Sequence, residues 1–456
     1  MPEKNEEITV EITGMTSDGN GVGRADGLAV FVPGTCVGDR VLCRIIKPSK
    51  NYAVGKLLTV LCPSADRVES ECPVSSVCGG CTYRQMTYEA ELEIKRKKVA
   101  DAFARVGGIS VEPQKTVGSV SPDRYRNKAM LPVARAKDGR LLIGFYAPRS
   151  HRVTDCRSCM LSPADFDDAV AAAARWIENS GVSVYDELTG RGLVRHIYMR
   201  RAPATGEMIF CLVINGRSVP DGKGLVKTLT DTLPGITGIL LNVNTSRGNK
   251  VLGSEFITLY GRPEIRDTLC SLTFEISPPS FYQVNSPQAE RLYNAAAECA
   301  GLSGNELLLD LYCGAGTIGL SMADRVSRVI GVEIIPEAVE NAKRNAELNG
   351  ITNARFICAD ASKAAADLRA EGVRPDVVVL DPPRKGLDKD VISIVADDMA
   401  PSRIVYISCD PATCARDCAV FKEHGYEVKE LRPFDLFPRT AHVECVACLK
   451  RYSDNR

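Results

Sequence analysis

Three stretches of this chain carry side chains that can do chemistry. Ile407-Ser408-Cys409-Asp410-Pro411-Ala412-Thr413 ends an apolar run with a thiol just before an expected helix, Pro411 being suited to its first turn. A helix N-terminus favours the nucleophilic thiolate, whereas the adjacent Asp410 opposes that shift. Val379-Leu380-Asp381-Pro382-Pro383-Arg384 puts a carboxylate and a rigid turn at the carboxyl end of another run, the edge where open α/β sheets bind ligands. In Leu309-Asp310-Leu311-Tyr312-Cys313-Gly314-Ala315-Gly316-Thr317-Ile318-Gly319 the glycines let the backbone pass close to a ligand before a helix begins. Glu333 closes the next run, where it could bind both hydroxyls of a ribose. Gly314, Gly316 and Gly319 also satisfy G-x-G-x-x-G, so the loop points to an adenosine-containing cofactor and leaves a nicotinamide dehydrogenase open. Hydride transfer, however, has no use for the Cys409 thiol.

A fourth group is metallic in character. Cys72-x5-Cys78-x2-Cys81, with Cys159 far downstream, supplies four thiolates, enough for tetrahedral zinc or a [4Fe-4S] cluster, and spacing does not separate the two. Cys156 is also available; Cys159 is preferred from its place before Met160-Leu161. The chain holds 18 cysteines, high for a reducing compartment. Cys43, Cys211, Cys270 and Cys358 lie in apolar stretches and read as small buried hydrophobes.

The elements that must position these groups follow from patterning. Residues 7–61 alternate apolar and polar positions in short runs separated by glycine turns, which suggests a small all-β barrel. Helical periodicity spans Thr87 to Val106 and includes the basic run Lys95 to Lys98. A mixed, mostly strand-like stretch reaches about Cys270, with 161–180 its clearest helix. From about Ser280, strand, glycine loop and helix repeat, which means a parallel sheet flanked by helices. The 456 residues, 45% apolar and 25% charged, suggest about three domains. No apolar run approaches a membrane span, and the first ten residues have no signal-peptide core, so a cytoplasmic protein is expected. With 57 Lys+Arg and 57 Asp+Glu the net charge is zero, yet Lys115–Arg152 holds nine basic and two acidic residues with Tyr125, Phe145 and Tyr146 interleaved. That mixture suits single-stranded RNA; a solvated β face is the alternative.

Taken together, FYQVN at 281–285, LDLYCGAG at 309–316, DPPRKG at 381–386, SCDPAT at 408–413 and FPRTAHVE at 437–444 resemble the S-adenosylmethionine-dependent RNA uracil-C5 methyltransferases over nearly the whole chain. The resemblance implies an α/β protein in three parts. These are an OB-like TRAM barrel (1–62), a mixed central domain with the cysteines and a basic RNA-binding surface (63–275), and a Rossmann-like class I methyltransferase domain (276–456). It implies that Cys409 adds to uracil C6 and that Glu444, otherwise an unremarked strand carboxylate, removes the C5 proton. Gln283, Tyr312, Glu333 and Asp381 would hold S-adenosylmethionine with the loop of Gly314 and Gly316. Asp381 would also orient the base, and Asp360 is a further candidate for the adenine. The cysteine quartet would hold a [4Fe-4S] cluster. RNA is the implied partner, ribosomal RNA favoured and transfer RNA possible, with the target base out of its stack and the protein a monomer. An iron-sulfur RNA-binding module with a degenerate methyltransferase domain is the non-enzymatic rival; every motif residue being present argues against it.

Overall fold

The structure, a computed structural model, describes residues 2–452. Strands β1 (Glu7–Met15), β2 (Gly21–Ala25), β3 (Leu28–Val32), β4 (Arg40–Pro48) and β5 (Tyr52–Cys62) close into a barrel of order β1-β2-β3-β5-β4. The alternation expected from the sequence is what closes it: Val10, Ile12, Val30, Val32, Val41, Cys43 and Ile45 point inward and are buried. Helix α1 (Tyr88–Arg105) follows the cysteine loop, its N-terminus capped by Thr87.

Strands β6 (Lys128–Arg135), β7 (Leu141–Tyr146) and β8 (Val153–Asp155) precede α2 (Ala164–Ser180). Then come β9 (Val194–Arg201), β10 (Met208–Ile214), α3 (Gly222–Thr232), β11 (Ile236–Val243) and β12 (Glu255–Gly261). Together they form a seven-stranded sheet of order β12-β11-β10-β9-β6-β7-β8. Both faces are covered, which is why β10 reads as a continuous apolar run. Ile197, Met199, Phe210 and Leu212 face α2 and α3. Tyr198, Ile209 and Cys211 face the hairpin β13 (Ile265–Leu269) and β14 (Leu272–Ile276) and the C-terminal unit.

The C-terminal unit runs α4 (Ser286–Ala300), β15 (Leu307–Leu311), α5 (Thr317–Ser321), β16 (Arg328–Glu333), α6 (Pro336–Leu348), β17 (Ala354–Cys358) and α7 (Ala361–Ala370). It continues with β18 (Val377–Leu380), α8 (Lys389–Ser393), β19 (Arg403–Ser408), α9 (Pro411–Glu423), β20 (Tyr426–Phe434) and β21 (Glu444–Arg451). The sheet order is β17-β16-β15-β18-β19-β21-β20, parallel except for the pairings of β21. The alternating pattern from Ser280 thus gives the expected parallel sheet, with an antiparallel pair added at one edge.

Three findings depart from the linear reading. First, α1 falls within the stretch assigned to the central segment, yet its Val99 and Phe103 pack into the core of the C-terminal sheet. Second, of the cysteines read as buried, Cys43 and Cys211 are, whereas Cys270 is half-buried and Cys358 exposed at the end of edge strand β17. Third, Cys299 of α4 and Cys448 of β21 pair as a disulfide, their Cα atoms 5.6 Å apart. No helix among the described residues is long and apolar enough to cross a membrane.

Candidate active site and cysteine cavity

Strand register assembles the reactive groups. Ser408 of β19 lies opposite Cys445 of β21 in antiparallel pairing, so the residues one step further, Cys409 and Glu444, come side by side at the same edge. In the parallel part Leu380 is level with Leu311 and with Tyr406, which brings Asp381 and Tyr312 to that edge too. Sheet order reverses at β15, between β16 and β18, and open α/β sheets bind ligands in the crevice at such a point.

Burial in this corner acts on every ionisable group. It pushes the Glu444 carboxyl up to about 8, Asp381 adding to the rise and Arg384 opposing it. Burial likewise takes Asp381 up to about 7. The Cys409 thiol is pushed up to about 11, by burial first and then by Glu444, while the neighbouring Arg384 draws it down. Burial and Glu444 therefore favour the thiol at Cys409, so the helix N-terminus is not what sets its state. The α9 terminus is already occupied, since Asp410 accepts the N–H bonds of Ala412 and Thr413 at 3.0 and 3.1 Å.

The glycine loop has the shape of a cradle. Tyr312, Gly314 and Gly316 all have positive φ, at 69°, 54° and 80°; at Tyr312, which has a bulky side chain, that conformation stores strain. Gly314 N–H donates to Glu333 Oε2 at 3.1 Å and Ile335 N–H to Oε1 at 2.9 Å, so Glu333 is locked against the loop. A Cβ on Gly314 would meet nothing within 4 Å, so a side chain there would occupy the open space above the loop. Beneath it, buried Asp310 accepts from Gly319 N–H at 2.9 Å, its other oxygen has no partner, and burial takes its carboxyl up to about 8. The Tyr293 hydroxyl lies 3.3 Å from Thr317 Oγ1 at the start of α5. Asp360 caps α7 through the N–H groups of Ser362 and Lys363, at 3.0 and 3.4 Å; the Tyr312 phenol is raised by burial first, then by Asp388 and Asp360.

Cys409 opens onto a cleft of about 960 Å³ whose walls come from distant parts of the chain: the barrel turn Thr13–Asp18, Lys97 and Lys98 of α1, Arg126, Arg384 and His442. Of the nine basic residues in Lys115–Arg152, Arg126 alone lines it. Arg124 pairs with Asp167, Arg135 with Glu178 and Arg140 with Asp138. Three of the nine basic residues are thus ion-paired, and the cleft draws its other basic side chains from α1 and the DPPR turn. Arg384, His442 and Lys98 went unassigned in the sequence; Arg384 and His442 stand inside the quoted motifs, while nothing local marks Lys98.

A second cavity, of about 280 Å³, is lined by Cys72, Cys78, Cys81, Cys159 and Cys156, with Arg84, Arg126 and Lys128 beside them. Cys159 is drawn down by a hydrogen bond from the Cys156 thiol and by the N–H groups of Leu161 and Ser162. Cys81 is pushed up to about 11 by burial, against the pull of Arg84. Among the described residues no three His, Cys, Asp or Glu side chains are gathered closely enough to hold a single metal ion.

A glycine-loop α/β sheet behind a small barrel defines an S-adenosylmethionine-dependent methyltransferase with an appended nucleic-acid module. Residues 243–452 match the tRNA (Uracil-5-)-methyltransferase family and residues 3–58 the TRAM domain. An uncharacterized RNA methyltransferase of Clostridium tetani is 44% identical over 454 residues, 100% of this chain and 98% of that protein. One from Halalkalibacterium halodurans is 42% identical over 448 residues, covering 98% and 97%. Among solved structures, the tRNA (uracil-54, C5)-methyltransferase of Pyrococcus abyssi, in complex with S-adenosyl-L-homocysteine, aligns with TM-score 0.79 and 29% identity over 97% of this chain and 100% of that one. The chain belongs to the RNA (uracil-5-)-methyltransferase family.

Proposed function

We propose that this enzyme methylates C5 of a specific uridine in RNA through a transient bond between Cys409 and C6, with Glu444 as the base. The observation that carries the proposal is the juxtaposition of Cys409 and Glu444 on adjacent strand ends, with Cys409 lining a cleft that Lys98, Arg126 and Arg384 share with Asp18 and Glu93. Uracil C5 is a poor nucleophile. The Cys409 and Glu444 protons pass to water in the open cleft, Cys409 sulfur adds to C6 and the C5–C6 π electrons move into an enolate. C5 then takes the methyl group as its bond to the donor sulfur breaks, leaving S-adenosylhomocysteine. Glu444 removes the C5 proton, the C5–C6 double bond re-forms and Cys409 is expelled as thiolate. Arg384 favours both ionised forms, the thiolate at Cys409 and the carboxylate at Glu444.

On this reading Gln283, Tyr312, Glu333, Asp381 and the loop of Gly314 and Gly316 hold the methyl donor, Asp360 reaches its adenine end, and Asp381 also orients Glu444. Cys72, Cys78, Cys81 and Cys159 would hold a [4Fe-4S] cluster. Support comes from the cavity, since a cluster is wider than one ion and its ligands stand further apart, and from the cations that offset its negative charge. Such a group would supply a structural tie or an electron-transfer site. The RNA is ribosomal, as the cysteine motif suggests; the transfer RNA named for the Pyrococcus enzyme is the second reading. The enzyme acts as a cytoplasmic monomer.

Incubation with labelled S-adenosylmethionine and undermethylated RNA, followed by nucleoside analysis, tests the reaction: label is expected in 5-methyluridine, and its absence from uracil sinks the proposal. Mapping 5-methyluridine in RNA from cells lacking the protein distinguishes ribosomal from transfer RNA. Anaerobic purification is expected to give a brown protein with acid-labile sulfide; a colourless, zinc-loaded, active protein would refute the cluster.

A further inference from the structure

The segment from Asp435 to Val443, which delivers Glu444 to the site, is pinned from outside its own sheet. Buried Lys95 donates to Asp435 at 2.6 Å, to Glu91 at 2.7 Å and to the Phe437 carbonyl at 3.3 Å. Glu91 in turn accepts the Arg439 N–H at 2.7 Å, and the Arg439 carbonyl accepts from Thr82 and Tyr83 in the cysteine loop. One turn further along α1, Lys98 does something different. Its ammonium donates at 2.8 Å to the Ala441 carbonyl, three residues before Glu444, and at 3.0 Å to the carbonyl of Ser17 in the barrel.

The barrel's other side-chain hydrogen bonds beyond residue 62 run to its own linker: Arg67 with Asp39 and Gly34, Ser64 with Asp39, Cys36 and Thr35 with Gln85. Among the described residues Lys98 is thus the one side chain beyond that linker that hydrogen-bonds the barrel. Around it the fit is tight. A Cβ on Gly19 would stand 2.4 Å from Thr82 Cγ2 and 3.2 Å from Ala441 Cβ. Met15 and Cys36 of the barrel share a small apolar core with Tyr83, Met86, Ile94 and Ala441. The barrel turn, Lys98 and Cys409 line the same cleft.

We propose that Lys98 is a positioning residue that fixes the barrel against the catalytic loop and so sets the opening through which RNA reaches Cys409. The barrel then selects RNA by geometry as well as by adding affinity. The inference rests on the reading of Cys409 and Glu444 as an RNA-methylating pair. Losing Lys98 frees the barrel more than the loop, because Lys95 and Glu91 still hold the loop at 435, 437 and 439.

The test uses full-length Lys98→Met, Lys98→Arg, Gly19→Ala and the Lys98→Met/Gly19→Ala double variant. Loss of a charge-assisted bridge of this kind is expected to raise KM for a structured transcript about tenfold, with kcat falling less than about threefold. Hydrogen exchange should quicken at residues 16–20 more than at 436–443, and binding of S-adenosylhomocysteine should hold. Lys98→Arg should recover most of the KM, and Gly19→Ala, which pushes the same surfaces apart from the barrel side, should not add to Lys98→Met. Unchanged exchange at 16–20, a fall confined to kcat, or additive KM effects would each overturn the assignment. If the wild-type protein methylates no uracil, the functional reading fails instead, and exchange at 16–20 still decides whether Lys98 holds the barrel.

Discussion

Two cysteines of this protein, Cys409 and Cys159, lie at opposite electrostatic settings. Cys409 sits among carboxylates, Glu444 and Asp381, and is held as a neutral thiol with Arg384 as its counterweight. Cys159 sits where Arg84, Arg126 and Lys128 line the cavity, and hydrogen bonds from Cys156, Leu161 and Ser162 draw it toward the thiolate. The difference teaches what each is ready for. On the proposed reading, Cys159 is set as a metal ligand that is a thiolate at rest, Cys81 would lose its proton only on binding the cluster, and Cys409 is a nucleophile that stays neutral until a substrate replaces water in the site.

The largest effects should separate the two settings cleanly. Cys409→Ala is expected to lower methyl transfer by about four orders of magnitude or more, to form no adduct with 5-fluorouridine RNA, and to retain both S-adenosylhomocysteine binding and any iron. Glu444→Gln should slow turnover by about 10²- to 10⁴-fold while letting the covalent RNA adduct accumulate, visible as a band that survives denaturation. An adduct in the Cys409 variant would mean that another group is the nucleophile. Conversely, Cys81→Ser or Cys159→Ser should strip iron and sulfide and lower Tm by roughly 5 °C, the shift that about 2 kcal/mol produces in a domain of this size. Iron content unchanged in both would remove those thiols from the ligand set.

Much of this contrast was legible in the sequence, and the reason is locality. The glycine loop, the DPPR turn and the SCDP thiol each end a strand that its own apolar run specifies, and the parallel order then brings those ends to one edge. The barrel was readable for the same reason, through alternation within each strand. What was not legible depends on contacts across hundreds of residues. Lys95 belonged to a basic run with nothing local to mark a partner, yet it meets Asp435 in the core, 340 positions away. The pairing of Arg124 and Arg135 in the stretch from Lys115 was not readable, because their partners Asp167 and Glu178 lie on α2. The sequence left the state of Cys409 open between the helix N-terminus and Asp410, because the burial beside Glu444 that raises its thiol is not a local feature.

A smaller effect tests Arg384 as the counterweight. It draws down both Cys409 and Glu444, so Arg384→Met should shift the rising limb of the pH–rate profile upward by about one unit, a tenfold loss of rate below it. The sign follows from the groups that must lose protons: without the cation each holds its proton to higher pH. A profile that falls in height with its midpoint unmoved would assign Arg384 to binding RNA and leave the thiol's setting to burial alone.

The smallest effect is on stability, and its sign runs against that on activity. The fold raises the Glu444 carboxyl from the ordinary 4.5 to about 8. It therefore favours the protonated form, and the stability this gives is present in full below the ordinary value and lost as pH rises through about 8. Replacing Glu444 by Gln keeps a neutral group of the same shape at every pH. The Tm of Glu444→Gln minus that of wild type should be near zero around pH 4.5 and reach about +3 °C near pH 8.5. Asp381 and Asp310 rise for the same physical reason, and taking the difference between two proteins that share them leaves Glu444 as the group that changes. A variant less stable than wild type at both pH values would mean that the ionised carboxylate holds the corner together, and that neutrality near Cys409 is not what the fold favours.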